Sequence, residues 1–252
     1  MIVQPNPANL CLVTAVDVEF KTAISLLRQP TLSIEAGFKL CRGLSGDRRV
    51  TVLQCGMGAH GFAEGLRIHL KTNHYETLAV AGLAGALEPN LKTGDIVIYD
   101  LCGDRRDSVT EERAQVHCDK PLTEFLHKRF QAASLRSFHG TGITVSRIIV
   151  NAEDKLRLGK LHGALAVDME SYDVLRVAAE FSLPAVAIRV ISDEADHDLP
   201  DFNYAAEASG KMNYQRMTIA MFRRPVASLR FLANLKTVMN ALGESLQVVL
   251  RV

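Results

Sequence analysis

Four segments of the sequence concentrate ionisable side chains where buried strands would end or helices begin. They are 17–19 (Asp-Val-Glu), 167–171 (Val-Asp-Met-Glu-Ser), Arg189 inside an apolar run, and 192–196 (Ser-Asp-Glu-Ala-Asp) directly after that run. Ionised groups are costly to bury unless they are paired or serve a ligand. Carboxylates gathered in this way can act as general acids and bases. We therefore predict a site of acid–base chemistry built from these four segments.

Each segment also has a purely structural interpretation. An acid in 17–19, or Asp168, would stabilise the N-terminus of the helix that follows it, and Asp193 would cap a helix. His197 lies between two aspartates, but adjacent residues of a loop point apart, so we expect a solvated acidic loop there and no metal site.

The segment 56–61 (Gly-Met-Gly-Ala-His-Gly) matches G-x-G-x-x-G between a predicted strand and a predicted helix. A dinucleotide site would also need an acid at the end of the next strand. That strand ends in Gly82, and the nearby acid, Glu76, precedes it. We favour a tight turn that brings the backbone close to an anion or sugar, and keep a structural turn and a dinucleotide site as alternatives.

The elements that must position these groups are apolar strands alternating with helical patterns. Strands are predicted at 10–16, 49–54, 78–82, 94–100, 142–146 and 184–191. Strands that are apolar throughout indicate a largely parallel sheet covered on both faces. Ligands of such sheets gather at the carboxyl ends of the strands, where the ionisable segments fall.

The tail 225–252 is predicted to be a long helix. Its apolar positions are three or four residues apart: Val226, Leu229, Leu232, Leu235, Val238, Leu242, Leu246 and Val249. We favour packing of this stripe on the core or on a partner subunit. Contact with a membrane surface is the alternative, because basic residues (Arg223, Arg224, Arg230 and Lys236) accompany the stripe.

Composition excludes several classes of protein. The chain has 252 residues, 48% hydrophobic and 23% charged, which predicts one globular domain spanning 1–252. A formal net charge of +1 argues against nucleic acid as a partner. The five cysteines form no CxxC pair, no secretion signal is recognised, and the longest apolar run (77–87) is too short to span a bilayer. We expect a cytoplasmic protein.

Longer motifs resemble the purine nucleoside phosphorylase and nucleosidase superfamily, nearest to its methylthioadenosine/adenosylhomocysteine nucleosidases. The strongest match is the segment 167–171 followed by 189–196 (RVISDEAD). Residues 82–87 (GLAGAL) and 91–97 (LKTGDIV) are similar to that family's central glycine-rich segment. Residues 56–58 are similar to its Gly-x-Gly turn. The resemblance implies a three-layer αβα phosphorylase/hydrolase-like fold with a mixed, largely parallel central sheet. It also implies cleavage of a purine nucleoside with no metal or organic cofactor, by a homo-oligomer.

The same resemblance implies roles for individual residues. Asp193 would be the general acid at purine N7, which requires surroundings that raise its pKa. Glu19 would activate water, Arg189 would orient the carboxylates or the nucleophile, and Glu170 would bind the ribose hydroxyls with Met169 packing on the sugar. The remaining implied substrate contacts are Gly58, Leu83, Ala84, Gly85, Ile149, Val150 and Ser192.

Water is favoured over phosphate as the nucleophile. The segment 15–20 contains no arginine and contains a glutamate that would repel phosphate. Two observations keep phosphate open as a co-substrate. Leu83 replaces a hydroxyl-bearing residue of the family, and arginines could reach the site from neighbouring segments or a partner subunit (Arg42, Arg48 or Arg49).

The substrate implied is a 5′-substituted adenosine. Residues 168–171, Leu199-Pro200 and 223–225 (Arg-Arg-Pro) resemble the hopanoid-associated phosphorylase-like branch, which suggests adenosylhopane. The aliphatic stretch 148–150 replaces an aromatic residue of the nucleosidases, which suits a greasy substrate or plain packing. Two other functions stay open: a catalytically weak nucleoside-binding relative, and a dinucleotide-dependent oxidoreductase using 56–61.

Overall fold

The computed structural model describes residues 9–59, 61–106, 114–205 and 213–251. The strands found there are β1 Asn9–Thr14, β2 Arg28–Glu35, β3 Phe38–Ser45, β4 Arg48–Gln54, β5 Thr77–Ala86, β6 Ile96–Asp104, β7 Gln115–His117, β8 Ser137–Thr144, β9 Ala164–Asp168 and β10 Ala185–Asp193. The helices are α1 Asp17–Ser25, α2 Phe62–Thr72, α3 Lys120–Ala132, α4 Ala152–His162, α5 Ser171–Glu180, α6 Tyr214–Arg223 and α7 Pro225–Leu250.

The strands form one mixed sheet in the order β10-β6-β8-β9-β5-β1-β4-β3-β2, with β7 beside β6. Its centre is parallel, since β1 pairs with β4 and β5, and β5 pairs with β10. Because β10 also pairs with β6, the strands β5, β10, β6, β8 and β9 close into a ring, from which β1, β4, β3 and β2 extend. The predicted α/β fold class is confirmed.

Helices cover the centre of the sheet on both faces. In β1, Cys11 and Val13 pack in the cluster that includes α2 and α5, whereas Leu10 and Leu12 pack in the cluster that includes α1, α3 and α7. Successive side chains of a strand point to opposite faces, so a strand buried on both sides must be apolar at every position. This explains the uninterrupted apolar runs of the sequence.

The predicted strands differ from the observed ones mainly at their ends. β5 continues beyond Gly82 to Ala86, and the strand predicted at 142–146 is found earlier, at Ser137–Thr144. The hairpin of β2 and β3 has no predicted counterpart. β2 is exposed over most of its length, so its sequence lacks the apolar run by which a buried strand is recognised.

The C-terminal stripe is buried in one half of α7 and exposed in the other. In its second half the stripe is buried in the core, at Val238, Leu242, Leu246 and Val249. In its first half the stripe is exposed, at Val226, Leu229, Leu232 and Leu235. Among the described residues, no helix is both long enough and apolar enough to cross a bilayer.

Candidate active site

The predicted site residues meet at one edge of the sheet, where the parallel strands β1, β5 and β10 end. In register, Val13 of β1 lies beside Val80 of β5, and Asp193 of β10 lies beside Gly85. β9 arrives antiparallel to the end of β5, with Val167 beside Gly85. This arrangement brings the four ionisable segments together, since they follow β1, β9 and β10 or lie within β10.

Arg189 lies fully buried on β10 and is surrounded by acceptors. Its Nε is 3.1 Å from Asp168 Oδ2, and its Nη2 is 2.8 Å from Ser171 Oγ and 3.4 Å from Glu170 Oε2. Burial lowers the pKa of Arg189, but the carboxylates of Asp168 and Glu170 raise it more, so the net shift is upward. Arg189 is therefore a permanent cation that orients carboxylates.

Asp168 confirms the structural interpretation given to it above. Its Oδ1 accepts hydrogen bonds from the amides of Glu170 (3.0 Å) and Ser171 (2.9 Å), where α5 begins. Burial raises the pKa of Asp168. Arg189 and the hydrogen bonds from Ser171 together lower it by more, so the pKa lies below its ordinary value. Asp168 thus anchors both the start of α5 and the guanidinium.

Glu170 is the carboxyl group that burial perturbs most clearly toward its neutral form. Burial raises the pKa of Glu170 from 4.5 to about 7, although Arg189 opposes the shift. The amide of Gly58 donates to Glu170 Oε1 at 2.9 Å. Gly58 has φ +73°, a left-handed conformation that side chains disfavour. The glycine turn therefore delivers a backbone donor to a carboxylate.

This contact decides between the interpretations of segment 56–61, of which His60 lies outside the described residues. The turn is tied to the end of β1 by hydrogen bonds from the amides of Cys55 and Gly56 to Thr14 O and Ala15 O (2.8 and 3.0 Å). A pyrophosphate placed on the Gly58 amide would meet the Glu170 carboxylate, which like charge disfavours. The geometry favours a tight turn that serves the site.

Glu19, on the first turn of α1, folds back over the end of β1. Its Oε2 accepts from the amides of Ala15 (2.8 Å) and Val16 (3.1 Å), and its Oε1 accepts from the amide of Leu83 (2.8 Å). Three backbone donors hold this carboxylate, which is 2% exposed as a residue. The helix-start interpretation and a place at the site are therefore compatible for Glu19.

Gly82 makes room for this arrangement. A Cβ at position 82 would lie 2.6 Å from Glu19 Oε1 and 2.8 Å from Arg189 Nη1. Real Cβ atoms essentially never make contacts this short, so the glycine allows the Glu19 carboxylate and the Arg189 guanidinium to lie directly against β5.

Asp193 is the last residue of β10 and does not cap a helix, which corrects one structural interpretation. Its Oδ2 lies 2.5 Å from Lys155 Nζ, and its Oδ1 lies 2.6 Å from Ser192 Oγ. The Ser192 hydroxyl is also 3.2 Å from Ala84 O. Of the predicted substrate contacts, Ser192, Ala84 and Gly85 therefore line the surroundings of Asp193.

Lys155 is a residue of the site that the sequence did not predict. Its ammonium is buried and also donates to Glu194 O (3.0 Å) and His197 O (2.9 Å). It shares one face of α4 with Gly159, where a Cβ would lie 2.3 Å from Leu87 O. The missing side chain lets α4 approach the sheet closely enough for Lys155 to reach Asp193. A lysine and a glycine four residues apart were the available signal.

The remaining predicted contacts border the site less directly. Leu83 contributes its amide to Glu19, and Met169 is half-buried between Asp168 and Glu170. Ile149 packs on a small cluster that includes Val167. Val150 accepts a hydrogen bond at its carbonyl from the Leu199 amide (2.9 Å), which ties the segment before α4 to the segment that follows β10.

The acidic loop after β10 is held by contacts with a lysine and a histidine of the chain. Glu194 Oε2 lies 2.9 Å from Lys92 Nζ, and His197 Nδ1 lies 3.3 Å from Asp196 Oδ1. Among the described residues, Glu194, Asp196 and His197 bring side-chain ligand atoms within 4.8 Å of one another. The ion pair with Lys92 already neutralises one of the two carboxylates.

The arginines considered for phosphate lie elsewhere in this chain. Arg48 and Arg49 begin β4, and Arg49 lies beside Asn9 at the start of β1, which is the opposite edge of the sheet. Arg42 of β3 is paired with Glu35 at 2.5 Å. None of the three approaches Glu19 within the described chain.

A family model described as the phosphorylase superfamily matches residues 9–223. The chain belongs to this superfamily. The predicted family resemblance is confirmed, and the match ends just before α7 begins at Pro225.

The curated relatives compared with this chain are nucleosidases by name. The chain is 26% identical over 199 residues to a 5′-methylthioadenosine/S-adenosylhomocysteine nucleosidase of Glaesserella parasuis, covering 74% of this chain and 86% of the relative. It is 25% identical over 172 residues to the nucleosidase of that name from Staphylococcus aureus, covering 64% and 75%.

Solved structures of the superfamily share the fold. The nucleosidase of Neisseria meningitidis in complex with methylthio-immucillin-A superposes with a TM-score of 0.75 at 17% identity, covering 97% of this chain and 100% of the other. Futalosine hydrolase of Helicobacter pylori superposes with a TM-score of 0.66 at 16% identity, covering 90% and 96%.

Proposed function

We propose that this protein hydrolyses the N-glycosidic bond of a purine nucleoside, a 5′-substituted adenosine, and releases adenine. The observation that carries the proposal is that one strand edge holds three carboxylates in different environments. Glu19 is fixed by backbone amides, Glu170 is buried beside Arg189, and Asp193 contacts an ammonium. The names of the relatives, which are nucleosidases, support the same reaction class.

Each carboxylate has a task in this reaction. The bond between C1′ and the purine breaks with its electron pair leaving on the base. The Asp193 carboxylate takes a proton from the Lys155 ammonium, 2.5 Å away, and passes it to N7 of the base, which leaves Lys155 neutral until it regains a proton from water. Glu19 accepts the proton of the water that attacks C1′. Glu170 accepts hydrogen bonds from the ribose hydroxyls. Above its pKa of about 7, its negative charge also favours the cationic transition state of the sugar.

The charge of the site supports water over phosphate. Binding of a phosphate dianion calls for cations with free donors. Arg189 has its guanidinium directed at Asp168, Glu170 and Ser171, and Glu19 adds negative charge where the nucleophile would lie. Phosphate would therefore be repelled.

The 5′ substituent is proposed to be apolar, with adenosylhopane as the specific candidate. The segment between β8 and α4, where the family resemblance places a residue that stacks on the base, offers the half-buried aliphatic residues Ile149 and Val150 and no aromatic ring. An aliphatic segment at the site suits a hydrophobic substrate.

Adenine release measured with and without phosphate tests the proposal. 5′-Deoxyadenosine, methylthioadenosine, adenosine and adenosylhopane would be compared, for the wild type and for Asp193→Asn. Loss of a general acid lowers the rate by about 10²–10⁴. Asp196→Asn is the matched control, because this aspartate of the same loop is 50% exposed and its loss should leave the rate unchanged.

The outcomes separate the alternatives. If adenine is released only when phosphate is present, the protein is a phosphorylase and not a hydrolase. Binding of nucleosides without release of adenine from any of the four would show a nucleoside-binding relative that has lost turnover. Equal rates for Asp193→Asn and wild type would remove Asp193 from the reaction.

A further inference from the structure

α6 and the first half of α7, which adjoin at Arg224, expose a band of large apolar side chains. Phe222 is 82% exposed, Val226 is 72% exposed and Leu229 is 70% exposed. Exposed apolar residues that stand singly need no explanation, but a contiguous group marks a surface that contacts something. The band consists of Ile219, Phe222, Val226, Leu229, Leu232 and Leu235.

Positive charge accompanies this band. Between residues 213 and 243 the sequence contains no acidic residue. Four of its basic side chains are exposed on the same two helices: Arg216, Arg223, Arg230 and Lys236. A helix that presents apolar residues together with Lys and Arg, and is too polar to span, matches the pattern of helices that lie in the plane of a membrane interface.

Charge also argues against a second copy as the occupant of this face. A two-fold contact places the same patch on both sides, so cations would face cations across an apolar seam, and like charges in that position are costly. An anionic bilayer instead offers phosphates to the cations and hydrocarbon to Phe222 and Leu229.

We propose that the α6–α7 surface, defined as the six apolar and four basic side chains named above, docks on an anionic lipid bilayer. The surface adjoins the site, because Arg230 and Phe231 of α7 line a shallow cleft together with Asp193 and Leu199. Docking would bring the membrane beside Asp193. A membrane beside Asp193 suits a nucleoside whose 5′ substituent is held in the bilayer. This link to the substrate rests on the proposed function, whereas the docking itself does not.

Co-sedimentation with vesicles tests the docking. Vesicles of phosphatidylcholine alone and of phosphatidylcholine with phosphatidylglycerol would be compared at low and high salt. We expect binding to the anionic vesicles that salt weakens. Lys236→Gln should lower the partition coefficient about fivefold, and Leu229→Ser should lower it about tenfold or more. Ile34→Ser is the matched control, since Ile34 is 76% exposed on β2.

Cleavage of a water-soluble nucleoside is measured on every variant, so that failure of the docking proposal can be distinguished from failure of the proposed function. Unchanged cleavage with reduced vesicle binding supports the docking surface. No binding of folded wild-type protein to anionic vesicles overturns it. The same conclusion follows if Ile34→Ser weakens binding as much as Leu229→Ser, or if Leu229→Ser changes the oligomer in sedimentation velocity and leaves vesicle binding unchanged.

Discussion

Replacing Gly82 by alanine tests whether the positions of Glu19 and Arg189 matter for catalysis. The new Cβ would lie 2.6 Å from Glu19 Oε1 and 2.8 Å from Arg189 Nη1, whereas ordinary contact begins at 3.4 Å. Each group must therefore retreat by about 0.6–0.8 Å. Because a misplacement of about 1 Å can cost about 100-fold in rate, we expect kcat/KM for adenine release to fall about 100-fold.

The same substitution has a cost in stability that must be separated from the cost in rate. Gly82 has no positive φ, so the penalty comes from overpacking, about 1–3 kcal/mol. Rates are therefore measured well below the melting temperature of the variant. Gly243→Ala is the matched control: a Cβ there meets open space, and alanine favours a helix by about 1 kcal/mol. Wild-type kcat/KM in folded Gly82→Ala would refute the role given to Glu19.

Two further predictions follow from buried charges. Because the pKa of Glu170 rises from 4.5 unfolded to about 7 folded, its burial should lower the free energy of unfolding as pH rises between these values, by up to about 3 kcal/mol. Thermal melts of Glu170→Gln should match the wild type below pH 4.5 and exceed it above pH 7; parallel melting curves across this range would contradict the prediction. Lys155→Met strands a buried carboxylate at Asp193, so we expect a loss of about 3–5 kcal/mol and a melting temperature lower by about 10 °C. Exposed Lys160 of the same helix provides the control Lys160→Met, and similar melts for both lysine variants would show that the ion pair is unimportant.

The sequence predicted those parts of the molecule that depend on local pattern. β1, β4 and β10 are apolar runs because both faces of each are covered, and the acids that follow β1 and β10 were recognised in the segments 17–19 and 192–196. Lys155 could not be found in this way, since its contact with Asp193 depends on how closely α4 packs against Leu87. The β2–β3 hairpin was missed for a related reason, because exposure of β2 removes the apolar pattern.

The family motifs indicated which carboxylates gather, but not their electrostatic states. The buried ammonium that the structure places against Asp193 and the raised pKa of Glu170 were both unexpected. Burial by surrounding elements decides such shifts, and no pattern within 167–171 records it. The roles of the individual site residues stay predictions until the variants above are measured.

The ammonium of Lys155 joins Asp193 to the backbone carbonyls of Glu194 and His197. The acid and the loop that follows it are therefore held in place before any ligand arrives. A recognition surface that is already ordered loses little conformational freedom on binding, and this holds for free adenine as much as for a nucleoside. Under the proposed function, adenine should consequently be a strong product inhibitor, which is measured as the inhibition constant of adenine against nucleoside cleavage.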